Sequence, residues 1–305
     1  MAHAAARHVF LIEPVEFRYN RETADTNVFQ HRPPAAEEVR LSSLAVVQHR
    51  ALRDLLVTHG VAVTVARSGA DTPDAAFCNN WFSTHPADRD RPATLVLYPL
   101  LAPNRRIERR PDLVALLRSA YPRLVDFSEG EARSLFLEST GSLVLDHDAR
   151  VAYAALSPRT DFGLASEWAR TLGFDLVSFT ALDANGVPYY HTNVVMFLGH
   201  GVAGICLEAI ATAEERRAVE FALHAGGHEV VDLTRKQAGA FCGNCLALSG
   251  AADEPLFLMS SRAERAFRPG QRTVLERHGR ILSADLSAFE QLGGGSARCL
   301  VAELF

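Results

Sequence analysis

The sequence lacks any long apolar run. A helix crossing a bilayer needs about 20 consecutive apolar residues, and no stretch approaches that, so no membrane partner is expected. It also lacks an excess of positive charge. Against 36 Asp+Glu stand 31 Lys+Arg, giving a formal net charge of -5 and an isoelectric point near 6.2. That balance argues against nucleic acid or an anionic surface as a partner. Cysteine is sparse, at Cys78, Cys206, Cys242, Cys245 and Cys299. An odd number in a chain this long reads as reduced thiols of a cytoplasmic protein, not as a disulfide framework. The opening "MAHAAARHVFLIEP" lacks a signal-peptide layout, because its apolar stretch is short and runs directly into a strand-like pattern. No low-complexity segment and no Pro/Gly/Ser-rich linker divides the chain, so one domain over residues 1–305 is expected.

What is there is a repeated unit of two strands, a helix and a closing strand. "AAFCNNWFSTH", "ATLVLYPLL", "PDLVALLRSAY" and "RLVDFS" form one. "LFLESTGSLVLD", "VAYAALS", "LASEWARTLG" and "DLVSFTA" form the next. "PYYHTNVVMFLG", "GVAGICLEAI", "AEERRAVEFALHAG" and "HEVVDLT" follow. "AFCGNCLALSG", "PLFLMSS", "PGQRTVLERHG" and "RILSADLSAF" make a fourth. The opening "HVFLIEP", "LAVVQHRALRDLLVTHG" and "AVTVAR" make a fifth with a degenerate start. Apolar spacing of three and four marks the helices, and β-branched and aromatic runs mark the strands. Gly60, Gly173, Gly227 and Gly279 fall where left-handed C-caps are wanted. Five ββαβ units of about 60 residues suit an α/β propeller, whose first strands converge on one axis.

Those first strands carry polar residues: Asn79 and Asn80, Glu138, His191 and Asn193, Asn244, and finally Cys299 in "GGGSARCLVAELF". Polar groups among apolar strands cost a few kcal/mol each unless paired, so their recurrence suggests a shared polar centre. A lone cysteine usually behaves as a small hydrophobe. The glycines before Cys299 permit close approach and could aim backbone N–H groups at an oxyanion. His191 and Asn193, two apart on a strand, would share a face, and a histidine can take a thiol's proton and return it. Taken singly, His191 is better read as a satisfied core residue. Glu138 could orient His191, accept from a substrate nitrogen, or simply receive backbone N–H groups of "STGS". The "CGNC" of Cys242 and Cys245 has no second CxxC for zinc and reads as a buried structural pair.

The order Glu138, His191, Cys299 on five ββαβ units resembles the guanidino-group-modifying superfamily of arginine deiminases, dimethylarginine hydrolases and amidinotransferases. The resemblance covers essentially the whole chain and implies the pentein five-bladed α/β-propeller. The stretches "NNWFSTH", "YPLLAPNRRIERR", "LESTGSLVLD", "AYAALSPRT", "YHTNVVM" and "GGGSARCLVAELF" are similar to the citrulline utilization hydrolase family, and specific only in combination. The resemblance implies Cys299 as nucleophile, His191 as general acid/base and Glu138 as the carboxylate beside the reacting group. It also implies that Arg159 binds a substrate α-carboxylate, with a second such arginine at Arg105 or Arg106. Deiminases carry Asp where this chain has Asn80 and Asn193. The citrulline family usually has Gly where this chain has Ser139.

The two amides bear on substrate. A guanidinium is a donor-only cation that seeks carboxylates, and charge-assisted hydrogen bonds are worth about 1.5–3 kcal/mol each. A ureido group is neutral, and an amide supplies both a donor and an acceptor for it. Asn80 and Asn193 therefore favour citrulline, with ornithine, carbon dioxide and ammonia as products through a Cys adduct, a route for which no metal and no organic cofactor is expected. The alternatives are arginine deiminase or dihydrolase activity, another guanidino hydrolase or amidinotransferase, a non-catalytic binding pentein, or a redox protein using Cys242. The expected partner is a small amino acid; a homo-oligomer stays open.

Overall fold

Parallel neighbours in a sheet need a crossover, and helices supply it here. The computed structural model describes residues 5–88 and 91–305. Residues 1–4, part of the stretch read above for a signal peptide, lie outside them. The chain starts with β1 (His8–Glu13) and β2 (Ala62–Arg67), joined through a helix over Ala35–Thr58. Next come β3 (Phe82–His85), β4 (Thr94–Leu97) and β5 (Arg123–Asp126), then β6 (Val144–Asp146), β7 (Val151–Ala155) and β8 (Asp175–Phe179). β9 (Met196–Gly199), β10 (Val202–Ile205) and β11 (Glu229–Asp232) precede β12 (Leu246–Ser249), β13 (Pro255–Ser260) and β14 (Arg280–Ala284), and β15 (Ala302–Leu304) ends the chain. Crossover helices over Pro111–Arg118, Phe162–Leu172, Ala213–Ala225 and Pro269–His278 link the parallel pairs.

The strands make five three-stranded mixed sheets. In each, a central strand is antiparallel to an inner strand and parallel to an outer one. Burial explains the sequence pattern. The central β4 and β10 are buried throughout and read as continuous apolar runs, whereas the outer β5 alternates. The helix over Phe162–Leu172 shows how a crossover is built. Asp161 accepts from Leu164 N at its start, and Leu164, Ala165, Trp168, Ala169 and Leu172 form its buried face.

The unit with the degenerate start is completed from the other end of the chain. β15 pairs with β1 in the register His8↔Leu304, Val9↔Glu303, Phe10↔Ala302. It also lies against β3, while β9 touches both β6 and β12. The last strand thus occupies the inner position that β3, β6, β9 and β12 hold in their own sheets.

Four expectations need correction. The polar residues are not in the inner strands but on single helical turns just before them: Cys78–Asn80, Ser139–Ser142, Thr192–Val195 and Ala297–Leu300, with Asn244 in the turn before β12. His191 and Asn193 accordingly share no strand face; His191 is the extended residue capping its turn. A turn satisfies its own backbone locally, which lets polar side chains point inward where strands would alternate them away. The helix over Ala35–Thr58 starts earlier than the apolar pattern suggested, and a buried helix over Ser287–Leu292 was not expected. Gly60, Gly173 and Gly227 have φ between 72° and 82°, but Gly279 is extended at 176°. A Cβ on Gly279 would lie 2.8 Å from Pro255 O, so close packing, not handedness, calls for glycine there.

Candidate active site

The helical turns bring Asn80, His191 and Cys299 to one cavity of about 10 Å³, room for about one water. Arg105, Arg159, Asp74 and Tyr190 complete its polar wall, and Thr23 and Asn27 roof it.

The glycines before Cys299 allow this approach. A Cβ on Gly293 or Gly295 would fall 2.5 or 2.8 Å from the Phe77 ring, and Gly294 has a φ of +62°. Tyr190 Oη donates to Gly294 O at 2.6 Å and pins the turn. Cys299 is buried, and burial pushes its thiol up from the usual range; hydrogen bonds from the Ser296 turn and Asn244 act against that.

His191 Nε2 lies 2.8 Å from Glu138 Oε2. A carboxylate only accepts, so Nε2 carries the proton and Nδ1 keeps a free lone pair. That Nδ1 is buried without a partner. Burial brings His191 down to about 4, against the opposing pull of Glu138. The histidine is therefore a neutral base near pH 7. Gly141 makes room for it, since a Cβ there would sit 2.7 Å from His191 Nδ1 and 2.6 Å from Asn80 Nδ2.

Glu138 does not line the cavity. Its Oε2 also receives Arg159 Nη1 at 3.4 Å, and its Oε1 receives Leu101 N at 3.0 Å. Burial pushes this carboxyl up, but the Arg159 guanidinium, His191 and Arg105 outweigh it and hold it well below the usual carboxylate range. Of the roles the sequence left open, the geometry shows the one that orients His191.

The choice between the paired arginines is made by direction. Arg105 is buried on the cavity wall, bidentate to Glu108 at 2.9 and 3.0 Å. Arg106 turns away to Leu100 O and Leu101 O. Arg105 Nη1 also donates to Asn80 Oδ1 at 2.8 Å. This fixes the Asn80 amide: its oxygen faces Arg105, and its NH2 faces Asn79 Oδ1 at 3.1 Å and the Gly141–His191 side. Arg159 holds the roof, donating to Thr23 O at 2.9 Å and Thr26 Oγ1 at 2.8 Å. Asn193 sits behind Cys299, its Oδ1 3.8 Å from Sγ, and donates to Thr140 O.

Asp74 was missed. Its Oδ2 accepts from Asn20 and Thr23, but its Oδ1 is buried with no partner at the cavity. In "DTPDAAFCNN" an aspartate before a turn looks like any surface turn residue. Cys242 and Cys245 are free and donate to backbone carbonyls, and burial pushes both up, Cys242 to about 12. Among the described residues no cluster of three or more His, Cys, Asp or Glu could hold a metal, and no helix is long and apolar enough to cross a membrane.

A buried thiol, a carboxylate-oriented imidazole and five small mixed sheets stand together in one α/β chain, and the family match that follows puts it in the guanidino-modifying pentein superfamily. Residues 13–305 match the sequence model of the eukaryotic N,N dimethylarginine dimethylhydrolase family, and the chain belongs to that family. Curated proteins offer no match. Solved structures share the fold. The N-terminal domain of ArgZ, a cyanobacterial arginine dihydrolase of the ornithine-ammonia cycle, was captured with its substrate; it superposes with a TM-score of 0.74 at 16% identity, over 97% of each chain. AgrE, in complex with ornithine and NAD+, gives 0.73 at 17% identity over 98% of this chain, which spans 39% of the AgrE chain. A dimethylarginine dimethylaminohydrolase in adduct with S-methyl-L-thiocitrulline gives 0.65 at 15% identity, over 98% of this chain and 100% of that one.

Proposed function

We propose that residues 1–305 form a single closed propeller, a cysteine hydrolase acting on the ureido carbon of citrulline. The observation that carries the substrate is the Asn80 amide. Arg105 claims its oxygen and Asn79 Oδ1 takes one N–H, which leaves the second N–H of the amide for a substrate. A ureido oxygen accepts that hydrogen. A guanidinium has only donors and would meet it donor to donor. Net charge does not decide between the two, because Arg105 and Arg159 are paired with Glu108 and Glu138 and Asp74 Oδ1 is left bare; the amide carries the choice.

Citrulline does not fit a cavity of about 10 Å³, so the segment over Asn20–Gln30 has to lift. Lifting it strips Arg159 of Thr23 and Thr26, and Asp74 of Asn20 and Thr23. The freed Arg159 fork takes the substrate carboxylate, and Asp74 takes its ammonium. Arg105, locked on Glu108, holds Asn80 in orientation.

The thiol proton of Cys299 passes to His191 Nδ1, and Sγ attacks the ureido carbon. His191 returns the proton to the departing nitrogen, leaving a thiocarbamate-type adduct on Sγ. His191 then deprotonates a water that cleaves the adduct. The sum is citrulline plus water giving ornithine and carbamic acid, which falls to carbon dioxide and ammonia. Glu138 stabilises the imidazolium at each stage. No step needs a cofactor.

The second reading is arginine dihydrolase, which the likeness to ArgZ favours; there arginine would lose ammonia first and citrulline would be the intermediate. Parallel incubation with citrulline, arginine and dimethylarginine, following ornithine, free citrulline and ammonia, separates the two. Ornithine from citrulline alone supports the first reading. Ornithine from both citrulline and arginine supports the second.

A further inference from the structure

Cys299 has two amide neighbours, and the backbone fixes how one of them faces. Arg298 N donates to Asn244 Oδ1 at 3.0 Å. A backbone N–H only donates, so the amide oxygen must lie on that side. The NH2 end then points to Asn193 O at 2.7 Å, and its other hydrogen is shared between Asn193 Oδ1 at 3.2 Å and Cys299 Sγ at 3.3 Å. Asn193 cannot do the same, because its own NH2 goes to Thr140 O. The "CGNC" turn makes this placement. A Cβ on Gly243 would lie 2.3 Å from Val194 O, so only glycine lets the turn seat against the one carrying Asn193.

Other charged and titratable groups leave the sulfur to this contact. The Arg298 guanidinium goes to Val301 O and Glu303. Arg105 is held by Glu108. His191, Asp74 and Tyr190 face the thiol from the other walls of the cavity. His191 is to receive the thiol proton, Asp74 is acidic, and Tyr190 is committed to Gly294 O.

We propose that Asn244 is a catalytic residue whose Nδ2–H donates to Cys299 Sγ and stabilises the thiolate that attacks the substrate. This rests on the reading of Cys299 as the nucleophile. When the proton leaves Sγ for His191, negative charge develops in a buried site. A donor already aimed at that atom needs no reorganisation as the charge appears, and its hydrogen bond strengthens as the acceptor ionises.

The test needs no substrate. Cys299 is alkylated with iodoacetamide across a pH series, and its modification is followed by peptide mass. The wild type is compared with Asn244→Asp, which keeps the shape but turns an acceptor toward the sulfur, and Asn244→Leu, which keeps the bulk and removes the donor. Circular dichroism checks that both fold. The alkylation midpoint is expected to rise by about one pH unit or more in Asn244→Asp and by less in Asn244→Leu. Citrulline turnover is expected to fall roughly 10²-fold in both. Midpoints unchanged in both variants overturn the proposal, even if turnover falls, because a structural role alone would leave them in place. Shifted midpoints with unchanged turnover overturn its catalytic part. Full activity of Cys299→Ala would remove the nucleophile reading instead, and would leave the alkylation result standing as a property of the thiol.

Discussion

A second cavity, of about 70 Å³, lies behind Asn193, with His147, His200, His228, Asp146, Cys245, Arg298 and Glu303 in its lining. The cavity at Cys299 is several times smaller. By size and by number of histidines the rear cavity is the more obvious site. It differs in what its charges are doing. Asp146 is taken by His228 at 2.6 Å and Glu303 by Arg298 at 2.7 Å, and the Cys245 thiol donates to Cys242 O. At the front, Asp74 Oδ1 and His191 Nδ1 are buried without partners, and Arg159 donates to Thr23 O and Thr26 Oγ1 as well as to Glu138. Histidine Nδ1 atoms are unpartnered in both places, so a bare imidazole nitrogen alone does not mark a site. On the proposed reading, a nucleophile, an oriented base and displaceable charge contacts together do.

That contrast can be broken at either end. The largest effect is expected from Cys299→Ala, which should cut kcat by roughly 10⁴-fold or more with the fold intact by circular dichroism. Retained turnover would move the chemistry elsewhere. Next is Asn80→Asp with Asn193→Asp. The carboxylate in place of the Asn80 amide removes the donor for a ureido oxygen and attracts a guanidinium, so the citrulline-to-arginine preference should drop from roughly 10²-fold toward about one. The ratio is the quantity to read, because a carboxylate in place of the Asn193 amide would also burden the thiolate. Arg159→Lys keeps the charge and loses the fork, so KM for amino-acid substrates should rise roughly 10-fold. Simple ureas without a carboxylate should be affected less, and equal losses would refute a carboxylate clamp. The smallest effect on activity is expected from His228→Leu in the rear cavity. It strips Asp146 of a partner and should cost about 1–3 kcal/mol in denaturant unfolding, yet leave kcat/KM within about threefold. A collapse of activity with stability retained would mean that the rear cavity takes part in the chemistry.

Much of the fold was legible because period and punctuation survive in one sequence. Five strand-strand-helix-strand units could be marked from apolar runs and glycines, and five mixed sheets stand there. The degenerate first unit was visible as a gap. That β15 fills it depends on pairing across the whole chain, which no local pattern records. The helical turns before the inner strands escaped because each is only three or four residues long, too short to show a period against a following strand. Cys299, His191 and Asn80 were picked as polar residues in apolar surroundings, and they do meet at one cavity. Glu138 was picked for the same reason but stands behind the histidine. Arg105 and Arg106 could have been told apart from Glu108, three residues after Arg105 and in reach of it on a helical turn. Asp74 left no such trace.

The central claim is that the reacting group is neutral. The most direct measurement is the kcat/KM of the wild type for citrulline and for arginine, in one buffer at pH 7, by ornithine release. With the Asn80 oxygen held by Arg105 and an amide N–H left for the substrate on the proposed reading, citrulline should be preferred by roughly 10²-fold, the factor that one charged contact of about 3 kcal/mol commands. Arginine consumed as fast as citrulline would contradict the charge argument and leave the dihydrolase reading in its place.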